Sequence, residues 1–588
     1  MTFVHHLNVD GTTREINLAV ARLFEEIAQS LEVAGEKGHR SRAYRRAARA
    51  VAATPASLHE LAAEGRLREL PGVGQAIAAL ITEYLESGAI RTHKKLVDEH
   101  PPGLAPLLQA RGFGPAGVHA LHTATGVTNL DELEAAARDG RLEQVLGPRR
   151  AEELVGQLPA LRNPIRSLPL KTAWESAWLL LELLGQTDNH TVTVAGAARR
   201  MCEMITGGLD LVAFAEKAQA TLELLTRLPN VVAVRERTET SASVRLYDGL
   251  EVRLHLAEPQ AYGAAVVWHT GSPAHVEHLN RLAMQRGLRL TPHGLYRGET
   301  RLPTPTEEDV YAALGLPYLR PELREDEGEI QAALTGNLPR LIEQADLKGD
   351  LHCHTRETDG SNSLEEMALA ARARGYDYMA LTDHSRSLTI TNGLSLERLE
   401  EARRQVAQLN HRLAPFVILL GTEMDILEDG SLDYPDETLA SLDYVSASIH
   451  SRFKQAEPVM TARILRAISN PLVHTLNHPH GRLLGIRPSY GVDMPRVVTT
   501  AATVGCAMEV SADPARMDLD GGWARRVREA GGRCTISSDA HSTLDFDNIW
   551  LAIGSARRGW LTTDDVLNTR PLDEFRALLR QRSQRIPR

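Results

Sequence analysis

DLHCHTRETDG spans residues 350–360. Its two histidines, His352 and His354, stand at i and i+2, so on a strand they point to one face. Asp359 follows in the next loop. Imidazoles and a carboxylate converging from one strand end form a metal-ligand pattern. Downstream the pattern recurs: TDHS adds His384, GTEMDI adds Glu423, SASIH adds His450, NHPHGR adds His478, and SSDAH adds Asp539 and His541. Each group closes an apolar run of strand length. Those runs, near 347–352, 377–382, 416–423, 443–449, 472–477, 506–511 and 533–538, alternate with helix-length segments. That rhythm predicts a parallel β/α barrel. There are seven runs, so the expectation over 346–580 is a distorted seven-stranded (β/α) barrel with its ligands at the C-terminal strand ends.

Six histidines and three carboxylates can hold two or three cations. The imidazole share favours manganese, zinc or iron over magnesium alone. Such a cluster suits metal-assisted phosphoester hydrolysis, in which cations clamp a phosphate and acidify a water. His352, His354, Asp539 and His541 are expected at its catalytic centre. Arg482, in HPHGR, is the expected phosphate contact, and His474 and His480 are assigned to no metal.

The 588 residues predict about four domains. Hydrophobic content of 43% and charged content of 24% are those of an ordinary globular chain. Four scattered cysteines without a CxxC pair point to a reducing, cytoplasmic compartment. No basic-then-apolar leader opens the chain and no apolar run is long enough to span a membrane, so no membrane partner is expected. A net charge of −10 excludes a uniformly DNA-coating protein but leaves room for local basic patches. A monomer is expected.

Residues 15 to about 165 carry helical periodicity. In LRELPGVGQAIAALI (67–81), Gly72 and Gly74 separate two helices. Such a hairpin bares backbone N–H groups at a helix N-terminus, where a DNA phosphate can sit without base readout. RGFGPAGVHAL (111–121) repeats the device with Gly112 and Gly114, and VLGPRRAEEL (145–154) is a third, degenerate copy. Upstream, HRSRAYRRAARA (39–50) gathers Arg40 and Arg45 around Tyr44, a candidate pocket for a DNA strand end.

AGAARRMCEMITGGLDLV (195–212) looks like the metal-binding hairpin of a nucleotide polymerase with one ligand missing. Two-metal transfer wants carboxylates at i and i+2 of a strand, bridging cations about 4 Å apart. Here Asp210 is preceded at i−2 by Gly208. ASVRLYDGLEVRLHL beyond it reads as a hairpin turning at Asp248-Gly249.

The DLHxHT, TDH, HPxGR and SDAH motifs resemble those of the PHP (polymerase and histidinol phosphatase) family, and all nine positions that bind metal in that family are filled by a matching residue type. A PHP barrel behind helix-hairpin-helix motifs and a small nucleotidyltransferase palm resembles the bacterial X-family DNA polymerases, over essentially the whole chain. The resemblance implies an 8-kDa-like end-binding domain (1–90), fingers (91–165), palm (166–256), thumb (257–320), linker (321–345) and the PHP barrel. It implies gap-filling DNA synthesis from dNTPs and a manganese-dependent 3′→5′ exonuclease acting on gapped or 3′-ended DNA without sequence preference. Nucleotide contacts would fall at Gly196, Arg199, Arg200, Gly271 and Ser272, and magnesium or manganese at Asp210.

This sequence departs from the family at chemical positions. Ala197 replaces the serine of GSLRR, Gly208 and Arg253 replace two of three catalytic aspartates, Trp268-His269 replaces Tyr-Phe, Val276 replaces an asparagine, and Leu80 replaces the lyase lysine. Synthesis by this palm is therefore expected to be weak. Glu251, i−2 from Arg253, is a conceivable substitute ligand. The alternatives are a PHP nuclease whose polymerase half is a DNA clamp, and a small-molecule phosphatase of the histidinol-phosphate type.

Overall fold

The computed structural model describes residues 11–36, 39–110, 113–162, 167–185, 191–214 and 218–584. Helices α1 (Gly11–Val33) and α2 (His39–Ala53) pack along each other. Their apolar faces bury Phe24, Ile27, Leu31 and Val51 together with Leu58 and Ile81. α3 (Gln75–Ser87) starts at Gly74 and stops at Gly88, whose φ of 72° ends the helix in the left-handed region. A separate core of Leu104, Val118, Leu121 and Leu133 supports α4 (Pro115–Thr125), which has Gly114 as N-cap and proline at its first position.

The palm combines α5 (Leu170–Gly185) with a five-stranded sheet: β1 (Thr191–Val194), β2 (Leu209–Phe214), β3 (Val231–Arg237), β4 (Ser241–Leu246) and β5 (Glu251–Ala257), in the order β1-β2-β5-β4-β3. β4 and β5 form the expected hairpin, with Gly249 at a φ of 82°. β2 and β5 run parallel in a register that sets Asp210 beside Arg253. That pairing decides the chemistry of the palm. The thumb carries α6 (Pro273–Gln285) and a small three-stranded sheet.

Residues 321–345, read from the sequence as a linker, are packed instead. Arg324 is fully buried and pairs with Glu307, Glu329 is buried against His275, and Ile342 belongs to the core shared with the barrel. The segment is rich in charge because its charges are paired inside.

The barrel strands are β6 (Gly349–Cys353), β7 (Tyr378–Leu381), β8 (Val417–Asp425), β9 (Tyr444–Ser448), β10 (Thr475–Leu476), β11 (Ala507–Ser511) and β12 (Cys534–Ser537). All are parallel and neighbour one another in chain order, and a bridge from Cys353 to Ala540 joins the last to the first. These strands are buried on both faces, so they read as mostly apolar runs without the polar alternation of a half-exposed strand. Tyr378, Tyr444 and Phe575 stack into one cluster of the barrel core.

Palm and barrel share one continuous apolar core. Trp174 and Trp178 of α5 meet Trp550 of α7 (Ile549–Arg558), with ring centroids 6.0 and 5.7 Å apart. Lys171 donates to Asn548 at the start of α7, and Arg558 near its end donates to the carbonyl of Arg200 and to Glu325. Met201 packs against Gly554, where a Cβ would come within 2.3 Å of its Cε, so only glycine admits this contact.

Candidate metal centre and palm

β6 ends with His352 and His354 on one face, and parallel pairing brings the C-terminal ends of all seven strands to the same rim. Four groups of side chains offer ligand atoms within 4.8 Å of one another: His354, Asp359, His384 and His541; His352, His354 and Asp539; His352, Glu423 and His478; and His384, Glu423 and His450. All nine residues expected from the sequence are thus brought together. Glu423 is the hub. Its carboxylate lies 2.9 Å from His384 Nδ1, 2.8 Å from His478 Nε2, 3.3 Å from His450 and 3.5 Å from His352. Asp539 sits 3.3 Å from His352 and 3.4 Å from His354. Asp539 (φ 52°) and His478 (φ 27°) hold backbone conformations that side-chain-bearing residues rarely adopt, the kind of strain that persists where surroundings over-determine a site.

The donor set fits divalent cations. His352 Nε2, both ring nitrogens of His354, Asp359 Oδ1, His384 Nδ1 and His478 Nδ1 are buried without a hydrogen-bond partner. Buried polar atoms left unpaired are costly, and these belong to five of the nine converging side chains, as donors meant for cations would. Burial, with His541 and His384 nearby, drops His354 to about 3, so its imidazole is neutral and able to ligate.

The ligands are themselves braced. His352 Nδ1 and Glu509 Oε1 are 2.7 Å apart, and Glu509 also accepts from the His478 amide at 2.9 Å. His450 Nδ1 pairs with Asp425 at 2.9 Å. Burial pushes Glu509 up to about 7 against the opposing effect of His352. Sequence reading missed both carboxylates. Their signals were present: Glu509 is the lone charge in the apolar strand AMEVS, and Asp425 stands at i+2 from Glu423.

Arg482 is not where the sequence placed it. It donates to the carbonyls of Arg516 (3.0 Å) and Met517 and lies 3.4 Å from Asp520. It braces the loop after β11, and the guanidinium that reaches the cluster is Arg516, with Nε 3.7 Å from Asp539.

In the palm, Arg253 binds Asp210 bidentately, Nε to Oδ1 at 2.6 Å and its terminal amine to Oδ2 at 2.9 Å, and also donates to the Gly207 carbonyl. His255 stands 3.6 Å from the same carboxylate and stacks on His269 at 3.7 Å. Burial works to raise Asp210, yet the nearby His255 ring and the hydrogen-bonded Arg253 guanidinium hold it at about 2. The carboxylate is ionised, and its counter-charge is a guanidinium. Gly208 has a φ of 107°, and a Cβ there would lie 2.5 Å from the Glu251 carbonyl oxygen. Glu251, the possible substitute ligand, accepts from Arg245 at 2.7 Å.

Three residues expected at nucleotide phosphates have other partners. Arg199 forms a bidentate pair with Glu307, Arg200 binds Glu325 and the Thr270 carbonyl, and Ser272 caps α6 by accepting from the His275 amide. The arginines fasten palm to thumb. Gly196 crowds Asp210, where a Cβ would approach Oδ2 to 2.7 Å, and Gly271 packs against His275 and Val276.

In the helical region, Gly72 (φ 77°) presses on Arg46, while Gly74 opens onto free space at the start of α3, and Gly114 does the same at α4. Gly112 lies outside the described residues. Tyr44 tilts against Phe24 within the core, and Arg40 is exposed, paired with Glu36 one turn away. Arg45 corrects the expectation of a DNA contact, because it is held between Glu25 (3.1 Å) and Glu32 (2.5 Å).

Comparison with known proteins agrees with this arrangement. Residues 15–90 match a helix-hairpin-helix domain, 265–325 the DNA polymerase beta thumb, and 350–488 the PHP domain. The DNA polymerase/3′-5′ exonuclease PolX of Bacillus subtilis is 35% identical over 570 residues, covering 96% of this chain and 99% of that protein. Probable phosphatases of Thermoanaerobacter and Caldanaerobacter subterraneus are each 27% identical, over 40% of this chain. A relative matched from end to end, with the thumb and barrel where the fold places them, means that this chain belongs to the PolX family of X-family DNA polymerases with a PHP domain.

Proposed function

We propose that the barrel is a metal-dependent 3′→5′ exodeoxyribonuclease to which the helical region delivers gapped or 3′-ended DNA, independently of sequence, in the cytoplasm. The observation that carries this reading is the convergence of nine ligand-type side chains, five of which keep buried ring or carboxylate atoms without a hydrogen bond. His352, His354, Asp359, His384, Glu423, His450, His478, Asp539 and His541 would hold two or three ions, manganese foremost, with zinc or iron as alternatives. Bound there, the ions would supply Lewis acidity toward a phosphate oxygen and an acidified water. Glu509 and Asp425 fix the tautomers of His352 and His450, so each ring presents its other nitrogen inward. Gly74 and Gly114 leave helix-start amides open to backbone phosphates.

Gap-filling synthesis from dNTPs by the palm is slow in this reading and depends on Asp210 with manganese or magnesium. The bidentate Asp210–Arg253 pair favours a second reading, in which the polymerase half serves as a DNA clamp. A small-molecule phosphatase is disfavoured, since the phosphatase relatives match only the barrel's share of the chain.

A labelled primer–template incubated with manganese, with and without dNTPs, tests the set. The parent should shorten the primer from its 3′ end, and His352→Ala or Asp539→Ala should abolish shortening. Undiminished degradation by both variants would sink the assignment.

A further inference from the structure

Buried arginines in this chain are hydrogen-bonded: Arg324 to the Leu319 carbonyl and Glu307, Arg463 to carbonyls of residues 426, 427 and 451, Arg582 to four carbonyls. Arg253 and Arg199 grip their carboxylates two-pronged. Arg516 differs. Its Nε is buried without a hydrogen bond, and its ion pairs, 3.2 Å to Asp513 and 3.7 Å to Asp539, are both closest through Nε. The terminal fork therefore lies farther from both carboxylates, and among the described residues it makes no hydrogen bond. A guanidinium has five N–H donors in a plane suited to two oxygens of a carboxylate or phosphate. The buried Nε without a partner is unfavourable, and the fork, on a side chain 21% exposed, is left free to meet an incoming oxyanion.

Position says what that would be. Arg516 sits in the loop after β11, and its side chain is 21% exposed against 5% for Asp539, so it stands on the outer side of the cluster. The loop is held on several sides: the Arg516 amide donates to the Asp513 carbonyl at 2.9 Å, the Leu484 amide to the Ala515 carbonyl at 2.7 Å, and Arg482 to the Arg516 and Met517 carbonyls. A salt-bridging counter-ion for Asp539 would not need its backbone clamped while its fork stayed idle.

We propose that Arg516 is a substrate-contacting residue of the barrel, its fork gripping non-bridging oxygens of the phosphodiester being cleaved. This rests on the reading of the barrel as a phosphodiesterase. The step is electrostatic: the guanidinium stays protonated and stabilises charge that builds on the phosphate oxygens as the ester bond breaks.

The test uses the full-length chain with manganese, in Arg516→Met and Arg516→Gln variants, with inorganic phosphate as a competing oxyanion. Metal content, kcat and KM on a labelled single strand, and the phosphate concentration giving half inhibition are measured for each. Both variants should keep the parent's metal content, lose about 10²-fold in kcat, and need about tenfold more phosphate for half inhibition. Parental phosphate inhibition in both variants overturns the proposal. Loss of metal in both also overturns it, since Arg516 would then serve Asp539. An inactive parent would instead refute the nuclease reading, and that outcome is visible before any variant is made.

Discussion

Glu509 shows how much of this site rests on one residue. It fixes His352 from behind and holds the His478 backbone, yet is itself no member of the ligand groups. Carboxylates in that role typically tune metal affinity 10- to 100-fold. Glu509→Gln should weaken manganese binding by about that factor while preserving the fold, measured by titrating metal into chelator-stripped protein. Unchanged affinity would show that His352 is oriented without it. At this scale the nine candidate ligands were legible in the sequence, because histidines and carboxylates recur together at the ends of successive apolar runs. Arg199, Arg200 and Arg45 were misread for an equally physical reason. An arginine free for phosphate and one locked to Glu307, Glu325 or Glu25 are the same letter, and pairing partners 20 to 125 residues away leave no local trace.

The elements separate what folding requires from what binding requires. In the hairpin before α3, Gly72 is needed by the fold: its φ of 77° and the Arg46 side chain leave no place for a Cβ. Gly74 is different, since a Cβ there would meet nothing within 4 Å. Gly74→Val should keep the helical region folded and lower DNA affinity across a salt titration, whereas Gly72→Val should lower thermal stability as well. Equal DNA affinity for Gly74→Val and parent would remove the hairpin from the interface. In the palm, Gly208→Asp meets the Glu251 carbonyl and should add no ligand. Arg253→Asp removes the competing guanidinium and sets a carboxylate beside Asp210. With the nuclease silenced by His352→Ala, the Arg253→Asp chain should fill a one-nucleotide gap faster than its parent. Equal rates would place the block elsewhere in the palm. The seven barrel strands were legible because burial on both faces writes itself as apolar runs. The 321–345 segment was not, because buried Glu329 and Arg324 look in composition like solvated charge.

Taken whole, the chain divides its apolar cores unequally. The helical region keeps two of its own, built around Phe24 and Leu121, while palm and barrel run together through the contact of α5 with α7. No described helix is long and apolar enough to cross a membrane. One core across palm and barrel means that stability lost at the metal centre is felt at the junction, because packed interfaces transmit strain rather than absorb it. The six tryptophans permit a direct check. All lie at or beyond Trp174, and three of them, Trp174, Trp178 and Trp550, form the junction, so their fluorescence reports palm, thumb and barrel but not residues 1–165. Stripping metal with a chelator should lower the melting temperature seen by tryptophan fluorescence, since ions bound only to the folded state stabilise it by mass action. That fluorescence transition should stay single, with palm and barrel unfolding together, while the helical signal in far-ultraviolet circular dichroism retains a component that the chelator leaves unmoved. If fluorescence splits into two transitions on chelation, the palm is an independent unit merely resting on the barrel. The placement of palm against barrel seen here would then not govern how a DNA end passes between them.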